Sequence, residues 1–296
     1  MNGNIEVKWL HDAISLEKYR SFTLAAEKRN ISQSSFSRRI QALETAIGFD
    51  IFDRSSTPLT LTSQGKSFIV YARNLLEDMN VQINRIKGLN SQKQRINIAA
   101  AHSLSVFLLP QFINEFTSEQ NNTFFIESIN VDEAVYNLKE GKCDFILSFY
   151  NEELMASPFL HHKILETELH LVSACNSAGL PLYSLADGSL PFMQYTDESY
   201  MGRLVNQLLG KTTIPFSYSI VSSMSDLLKR MILNGNGVGW LPEYSITQEL
   251  RSGQLRVLDT QLSIEVGVYI YRAGSRLNLS SERFWQYMRI RNAQEN

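Results

Sequence analysis

From Asn30 to Gly48 the chain reads NISQSSFSRRIQALETAIG, with serines, glutamines and paired arginines set among aliphatics. Drawn as a helix at about 100° per residue, Phe36, Ile40, Leu43 and Ile47 form one stripe. Ser34, Arg38, Gln41 and Thr45 fall on the opposite side and Ser37 flanks them. That face offers hydroxyls, amides and a guanidinium, without the Lys–Glu pairs at i,i+4 that mark a merely solvated face. These groups suit hydrogen bonds to base edges and phosphates. The wheel alone describes an ordinary amphipathic surface helix equally well.

A second set of reactive residues lies further on. His102-Ser103-Leu104-Ser105 follows a strand pattern and opens a helix, and Ser222-Ser223-Met224-Ser225 does the same. Ser148-Phe149-Tyr150 ends a third strand, and SYMGRL carries Tyr200, Met201 and Arg203. Ligands of open α/β sheets sit at the carboxyl ends of strands. Serine-rich helix starts favour anions through free N–H groups. Each serine alone is equally readable as a helix cap, but their convergence points to a pocket for a small anion. Methionine thioethers are open to reversible oxidation, but the ordinary role of a methionine is core filling, and Met79, Met155, Met193 and Met288 read so.

The enzyme classes are poorly represented. The chain has no G-x-S-x-G, no P-loop, no G-x-G-x-x-G and no H-E-x-x-H. His11, His102, His161, His162 and His170 show no metal-ligand spacing, so neither cofactor nor metal is expected. Cys143 and Cys175 both lie in apolar runs, which suits buried thiols and a reducing cytoplasm. No apolar stretch approaches the ~20 residues of a membrane span, and the N-terminus lacks a signal-peptide layout.

The elements that must position these residues divide the chain. Hydrophobic content of 44% and charged content of 20% describe a globular protein. The net charge of −2 is uneven. Residues 1–95 hold 14 Lys and Arg against 9 Asp and Glu, leaving 14 against 21 of the totals of 28 and 30 for the remainder. A basic end on an acidic body suggests nucleic-acid contact at that end. Residues 1–62 read as short helices and a hairpin. The third helix runs from Gln33 behind an Ser32 cap to Gly48, and the hairpin turns through Arg54-Ser55-Ser56-Thr57-Pro58. Across 63–92 lies a long helical pattern in which Phe68, Ala72, Leu75, Met79, Ile83, Ile86 and Asn90 recur by threes and fours. That narrow stripe suits a partner helix. From 93 to 296 strands and helices alternate, and the βαβαβ order over 96–150 predicts a parallel sheet with right-handed crossovers. A first unit covers about 93–158, a second about 159–263, and the chain returns to the first over 264–296. Two lobes with a cleft between them follow.

The order Phe22, Ala25-Ala26, Ile31-Ser32-Gln33, Phe36-Ser37, Ile40, Leu43-Glu44, Ile47-Gly48, Phe52, Arg54, Leu61-Thr62, Gly65 resembles the DNA-binding segment of LysR-type transcriptional regulators. The layout resembles that family along the whole chain. It implies an N-terminal, mainly α winged helix-turn-helix and a two-lobed α/β effector domain like periplasmic binding proteins. It also implies that Gln33, Ser34, Ser37, Arg38 and Gln41 face the major groove of double-stranded DNA. Ser32 would contact phosphate or cap the helix, and Arg54 and Thr57 of the wing would hold the backbone. Arg39 is as well placed for a structural ion pair. Where the family's wing often carries a second arginine, this turn has serines. The helix over 63–90 would join a homodimer, and two dimers a homotetramer. AAAHSLS, VDEAV, SYMGRL and VSSMSDLLKRM resemble a hypochlorite-responsive branch of the family. That likeness implies an oxidant sensor switched at Met201 and Met224, in a cleft with His102, Ser103, Ser105, Ser148, Tyr200, Arg203, Ser222 and Ser223. The branch has a further methionine in the first effector helices, where residues 104–124 here have none.

Overall fold

The computed structural model describes residues 4–87, 94–117, 122–129, 131–139, 141–258, 262–275 and 277–295. The N-terminal unit opens with α1 (Val7–Tyr19), α2 (Phe22–Lys28) and α3 (Gln33–Ile47). Their starts follow from local chemistry. The Ser21 hydroxyl accepts from the Leu24 amide, and that of Ser32 from the Ser35 amide at 3.3 Å, so each caps a helix. Gly48, at φ 84°, ends α3 in the left-handed conformation that glycine adopts without strain. The wing is β1 (Phe52–Asp53) paired antiparallel with β2 (Thr60–Leu61). The long helix α4 (Ser63–Ile86) follows, and its first turn presses on the wing. A Cβ on Gly65 would lie 2.0 Å from the Ile51 carbonyl oxygen, so only glycine allows this approach. Phe36, Ile40 and Leu43 close the core against Leu16, Ala25, Ala26, Ile51 and Ala72. The predicted α3 stripe is therefore the buried one, with Ile47 packed at its margin.

The effector unit comprises β3 (Gln94–Ala100), α5 (His102–Phe107), α6 (Leu109–Thr117), β4 (Asn122–Ser128), α7 (Val131–Lys139), β5 (Phe145–Phe149), α8 (Glu152–Met155), β6 (Phe159–Ala174) and β7 (Leu190–Gln194). It continues through α9 (Tyr200–Leu209), β8 (Phe216–Val221), α10 (Ser225–Leu233), β9 (Val238–Pro242), α11 (Glu243–Ser252), β10 (Leu255–Val257), β11 (Glu265–Ala273) and α12 (Leu279–Glu295). Strand order is β4-β3-β5-β11-β6-β9-β7-β8.

The parallel order expected over 96–150 is found in β3, β4 and β5, within a sheet that is mixed as a whole. β3 runs parallel to β4 and β5, and β7 parallel to β8 and β9, but β11 is antiparallel to β5 and β6, and β6 to β9. The crossing strands cause this, because each arrives from the other lobe rather than through a local helical crossover. β6 pairs with β11 over Phe159–Glu168 and with β9 over Leu169–Ser173, so one strand serves both lobes. The helical stretch after β3 is two helices rather than one, broken at Leu108. Pro110 has no N–H to donate to the preceding turn, so it can sit only in the first turn of a new helix.

Lobe 1 is filled by Phe116, Phe124, Phe145 and Phe284, with ring centroids 5.2–6.1 Å apart along the chain of contacts. Lobe 2 is filled by Phe192, Phe216 and Trp240. Full burial of such side chains is worth roughly 1.5–3 kcal/mol each. Arg272, almost wholly buried, grips Glu282 with both terminal nitrogens at 2.7 and 2.9 Å and ties β11 to α12. No helix among the described residues is long and apolar enough to cross a membrane. The predicted α4 residue Asn90 lies outside the described residues.

Candidate nucleic-acid interface and effector cleft

The polar face of α3 is open. Gln33, Ser34, Arg38, Gln41 and Thr45 are exposed and Ser37 is half-buried at the helix edge. Ser32 is engaged as the cap, and its hydroxyl also meets the hydroxyls of Ser35 at 2.9 Å and Ser34 at 3.3 Å. Thr45 turns inward to donate to the Gln41 carbonyl at 2.8 Å. Arg38 therefore has the longest unengaged donor group on this face.

Two buried carboxylates hold the helix in place. Asp12 of α1 is fully buried and takes Arg29 at 2.7 Å and Arg39 at 3.3 Å, pinning the end of α2 and the middle of α3. Arg39 is thus a structural partner. Glu44, also buried, accepts from the Ile51 amide at 2.9 Å, the Phe52 amide at 3.2 Å and Arg54 Nη2 at 2.6 Å. It binds the far end of α3 to the wing. Arg54 additionally lies over the Phe22 ring at 5.9 Å, so its guanidinium is committed to the fold while about half of its side chain stays exposed. Thr57 is exposed at the wing tip. The Ser55 hydroxyl and amide, then the Ser56 hydroxyl, hold the Asp53 carboxyl below its usual range. Serines fill the wing turn because this aspartate organises it. A groove of about 860 Å³ between α3 and the wing is lined by Gln41, Thr45, Asp53 and Arg54.

The second site lies between the lobes. A cleft of about 580 Å³ is lined by His102, Ser103, Glu133, Phe149, Glu198, Ser199, Tyr200, Met201, Arg203, Ser223 and Met224, among others. Of the sequence-nominated residues, His102, Ser103, Tyr200, Met201, Arg203, Ser223 and Met224 meet here. Three do not. Ser148 is buried within β5, a strand covered on both faces, and strand alternation gives Phe149 to the cleft instead. The Ser105 hydroxyl donates to the His102 carbonyl at 2.7 Å, and that of Ser222 accepts from the Met224 amide at 3.1 Å, so both are consumed in local turns.

The two methionines differ. Met201 is 4% exposed, packed in the core with one side to the cleft, whereas Met224 is 40% exposed at the mouth of α10. Ser199 caps α9 by accepting from the Gly202 amide at 3.0 Å. Gly202 has no room for a Cβ, which would sit 2.0 Å from the Thr196 carbonyl oxygen. This fixes Tyr200 and Met201 beside the opposite lobe, where Tyr200 stacks on Phe149 at 4.6 Å. Burial raises the Tyr200 phenol, so it stays protonated. The charges facing the cleft are mixed: Glu133 and Glu198 against His102 and Arg203, with Arg203 donating to the Glu198 carbonyl at 2.6 Å. Cys143 lies outside the cleft, and burial pushes its thiol up to about 12, which makes it a poor nucleophile at neutral pH. Among the described residues no group of three or more His, Cys, Asp or Glu could hold a metal ion.

The sequence reading left Asp12, Asp226 and Tyr244 unassigned and placed Glu44 in the motif without a role. Asp12 and Glu44 were findable. Each is a charge on or beside an apolar helix face, which is stable only when paired.

A winged helix-turn-helix unit joined by a long helix to a two-lobed, ligand-type cleft defines a bacterial transcriptional regulator. Residues 7–66 match the bacterial regulatory helix-turn-helix protein, lysR family, and residues 90–293 match the LysR substrate binding domain. The chain belongs to the LysR-type transcriptional regulators. It is 47% identical over 289 residues to the Escherichia coli K12 HTH-type transcriptional regulator YjiE, covering 97% of this chain and 95% of that one. The full-length structure of HypT from Salmonella typhimurium, a hypochlorite-specific LysR-type regulator, superposes with TM-score 0.63 at 43% identity, covering 98% and 99% of the two chains. Vibrio fischeri DarR, solved in complex with DNA, gives TM-score 0.63 at 36% identity, covering 97% and 99%.

Removing the Glu44 carboxylate should cost stability before it costs chemistry. Glu44→Ala leaves two buried amides unmet and frees Arg54, at roughly 1–3 kcal/mol per buried unsatisfied group. Thermal unfolding of the full chain should show a lower first transition, and an unchanged melt would show that the clamp contributes nothing.

Proposed function

We propose that this LysR-type regulator reads double-stranded DNA with Gln33, Ser34, Ser37, Arg38 and Gln41, and answers in the cytoplasm to a reactive oxidant such as hypochlorite through Met201 and Met224. The observation that carries the sensing half is the placing of both thioethers on one interlobe cleft. The likeness to a regulator described as hypochlorite-specific supports it. In the reaction hypochlorous acid gives its oxygen to sulfur. The thioether is oxidised by two electrons to the sulfoxide, chlorine leaves as chloride, and a proton is released. Met224 is reached first because it is exposed. A sulfoxide on Met201 then puts a polar group into packed surroundings and forces α9 to move. A small anionic metabolite is the second reading. It rests on His102, Arg203 and the serines Ser103, Ser199 and Ser223, and the facing carboxylates of Glu133 and Glu198 weigh against it.

Association is the other part of the proposal. Tyr71, Leu75, Met79, Ile83 and Ile86 leave an exposed apolar stripe down α4, while Ala72 and Leu76 turn into the domain core. The stripe suits the α4 of a second copy. It makes a homodimer that presents two recognition helices, with a homotetramer formed through the effector domains. Two half-sites about one DNA turn, ~34 Å, apart fit such a dimer.

Arg38→Ala should weaken binding to the cognate promoter by about 1–3 kcal/mol if Arg38 reads a base edge. Binding as tight as wild type in a salt series would remove Arg38 from the interface. Leu75→Glu with Ile83→Glu should shift the sedimentation profile toward the monomer, and an unchanged profile would exclude the α4 seam. Brief hypochlorite treatment followed by mass mapping should find sulfoxide at Met224 before Met201. Met201→Gln and Met224→Gln should mimic the oxidised protein in promoter binding. A regulatory response that persists with neither residue oxidised would end the methionine reading.

A further inference from the structure

The lobes touch through a compact set of side chains behind the cleft. His102, at the start of α5 in lobe 1, places Nδ1 3.1 Å from the Ser128 hydroxyl of its own lobe and Nε2 3.1 Å from Asp226 Oδ1 of α10 in lobe 2. One residue on, the buried Ser103 hydroxyl meets the Tyr244 hydroxyl of α11 at 2.8 Å. Phe107 continues the contact toward Tyr244, with Lys229 over its ring at 4.8 Å. On the other wall Phe149 and Tyr200 stack across the same gap. These contacts bridge the lobes, and among them the His102–Asp226 pair is the one that becomes an ion pair only when the imidazole is protonated.

We propose that His102 is an interlobe latch: when its ring carries a proton it holds Asp226 and keeps the effector cleft closed, and when it loses the proton the lobes part more readily. The inference rests on reading this cleft as the effector site and adds a control that acts without any effector. The sign follows from the charges. The imidazolium and the Asp226 carboxylate attract only in the closed arrangement, so the closed state is favoured at low pH and that advantage is lost as pH rises. The other charged groups facing the cleft are Glu133 from α7, Glu198 ahead of α9 and Arg203 of α9. Lys229 of α10 does not compete for Asp226, because it is held by Glu249 at 2.6 Å and the Ser245 carbonyl at 2.6 Å. The Tyr200 and Tyr244 phenols, raised by burial, remain neutral over this range. Ser103–Tyr244 and Phe149–Tyr200 carry no charge and set a closing tendency that pH does not alter.

Nitroxide pairs on the full chain read the closure directly. Glu152→Cys on lobe 1 and Lys211→Cys on lobe 2 are exposed positions away from the cleft, labelled with Cys143 and Cys175 replaced by serine and diluted in unlabelled subunits. Between pH 8 and pH 6, without oxidant or DNA, the closed-to-open ratio should rise about two- to fivefold, as expected for a partly exposed pair. His102→Gln and Asp226→Asn should each abolish that rise. Ser103→Ala should lower the ratio at every pH and leave the rise intact. A ratio flat with pH in the parent protein, or an undiminished rise in a His102→Gln chain with an unchanged near-ultraviolet dichroism spectrum, overturns the latch. Neither result touches the methionine reading, which is read by sulfoxide mapping and promoter binding.

Discussion

One strand belongs to two sheets. Phe159–Ala174 hydrogen-bonds to β11 in lobe 1 and, without a break, to β9 and β10 in lobe 2. A backbone ladder cannot be cut without leaving buried N–H and C=O groups unmet. The lobes therefore cannot separate along β6, and they can only pivot about it. Everything that acts between them must sit on the helices and strand ends that approach across the gap. The effector cleft is defined by that geometry: α5 and β5 reach it from one side, α9 and α10 from the other.

Within the cleft the same economy recurs. The chain brings a histidine, two methionines, an arginine and two glutamates onto facing walls. Among the pairs that meet between the lobes are His102 with Asp226, Ser103 with Tyr244, Phe107 with Tyr244, and Phe149 with Tyr200. A change at one of these contacts would bear on how the two lobes sit as rigid units, since packed cores do not deform gradually. In the proposed functions, polarity introduced by oxidation and charge introduced by a proton would act on the same pivot, at different residues.

The DNA-facing end is organised by a different device. Asp12 and Glu44 are carboxylates inside a small apolar core, and each is tolerated because arginines or backbone amides complete it. Because one grips the middle of α3 and the other joins its far end to the wing, they fix its roll and its distance from the wing. The exposed side of α3 is then free to carry Gln33, Ser34, Arg38 and Gln41. Arg54 shows the cost of this arrangement. A wing arginine that would suit a phosphate is largely used up in holding the wing.

Local pattern was legible from residue order alone. The spacing of Phe36, Ile40, Leu43 and Ile47, the Ser32 cap and the terminal Gly48 placed α3 within a residue, because caps and periodicity are set by neighbours in the chain. The first half of β6 was not legible, because FLHHKILET alternates weakly and one of its faces is left to solvent. Nor was α11, whose sequence EYSITQELRS has few apolar positions and is helical through what it packs on. The sequence determined the family and the bounds and buried stripe of α3. Only the tertiary structure decided that Ser148, Ser105 and Ser222 stay out of the cleft, that Met201 is buried while Met224 is open, and that His102 faces Asp226. Those facts depend on which strands cross between the lobes, and a contact between residues more than a hundred positions apart leaves no periodic trace in the chain.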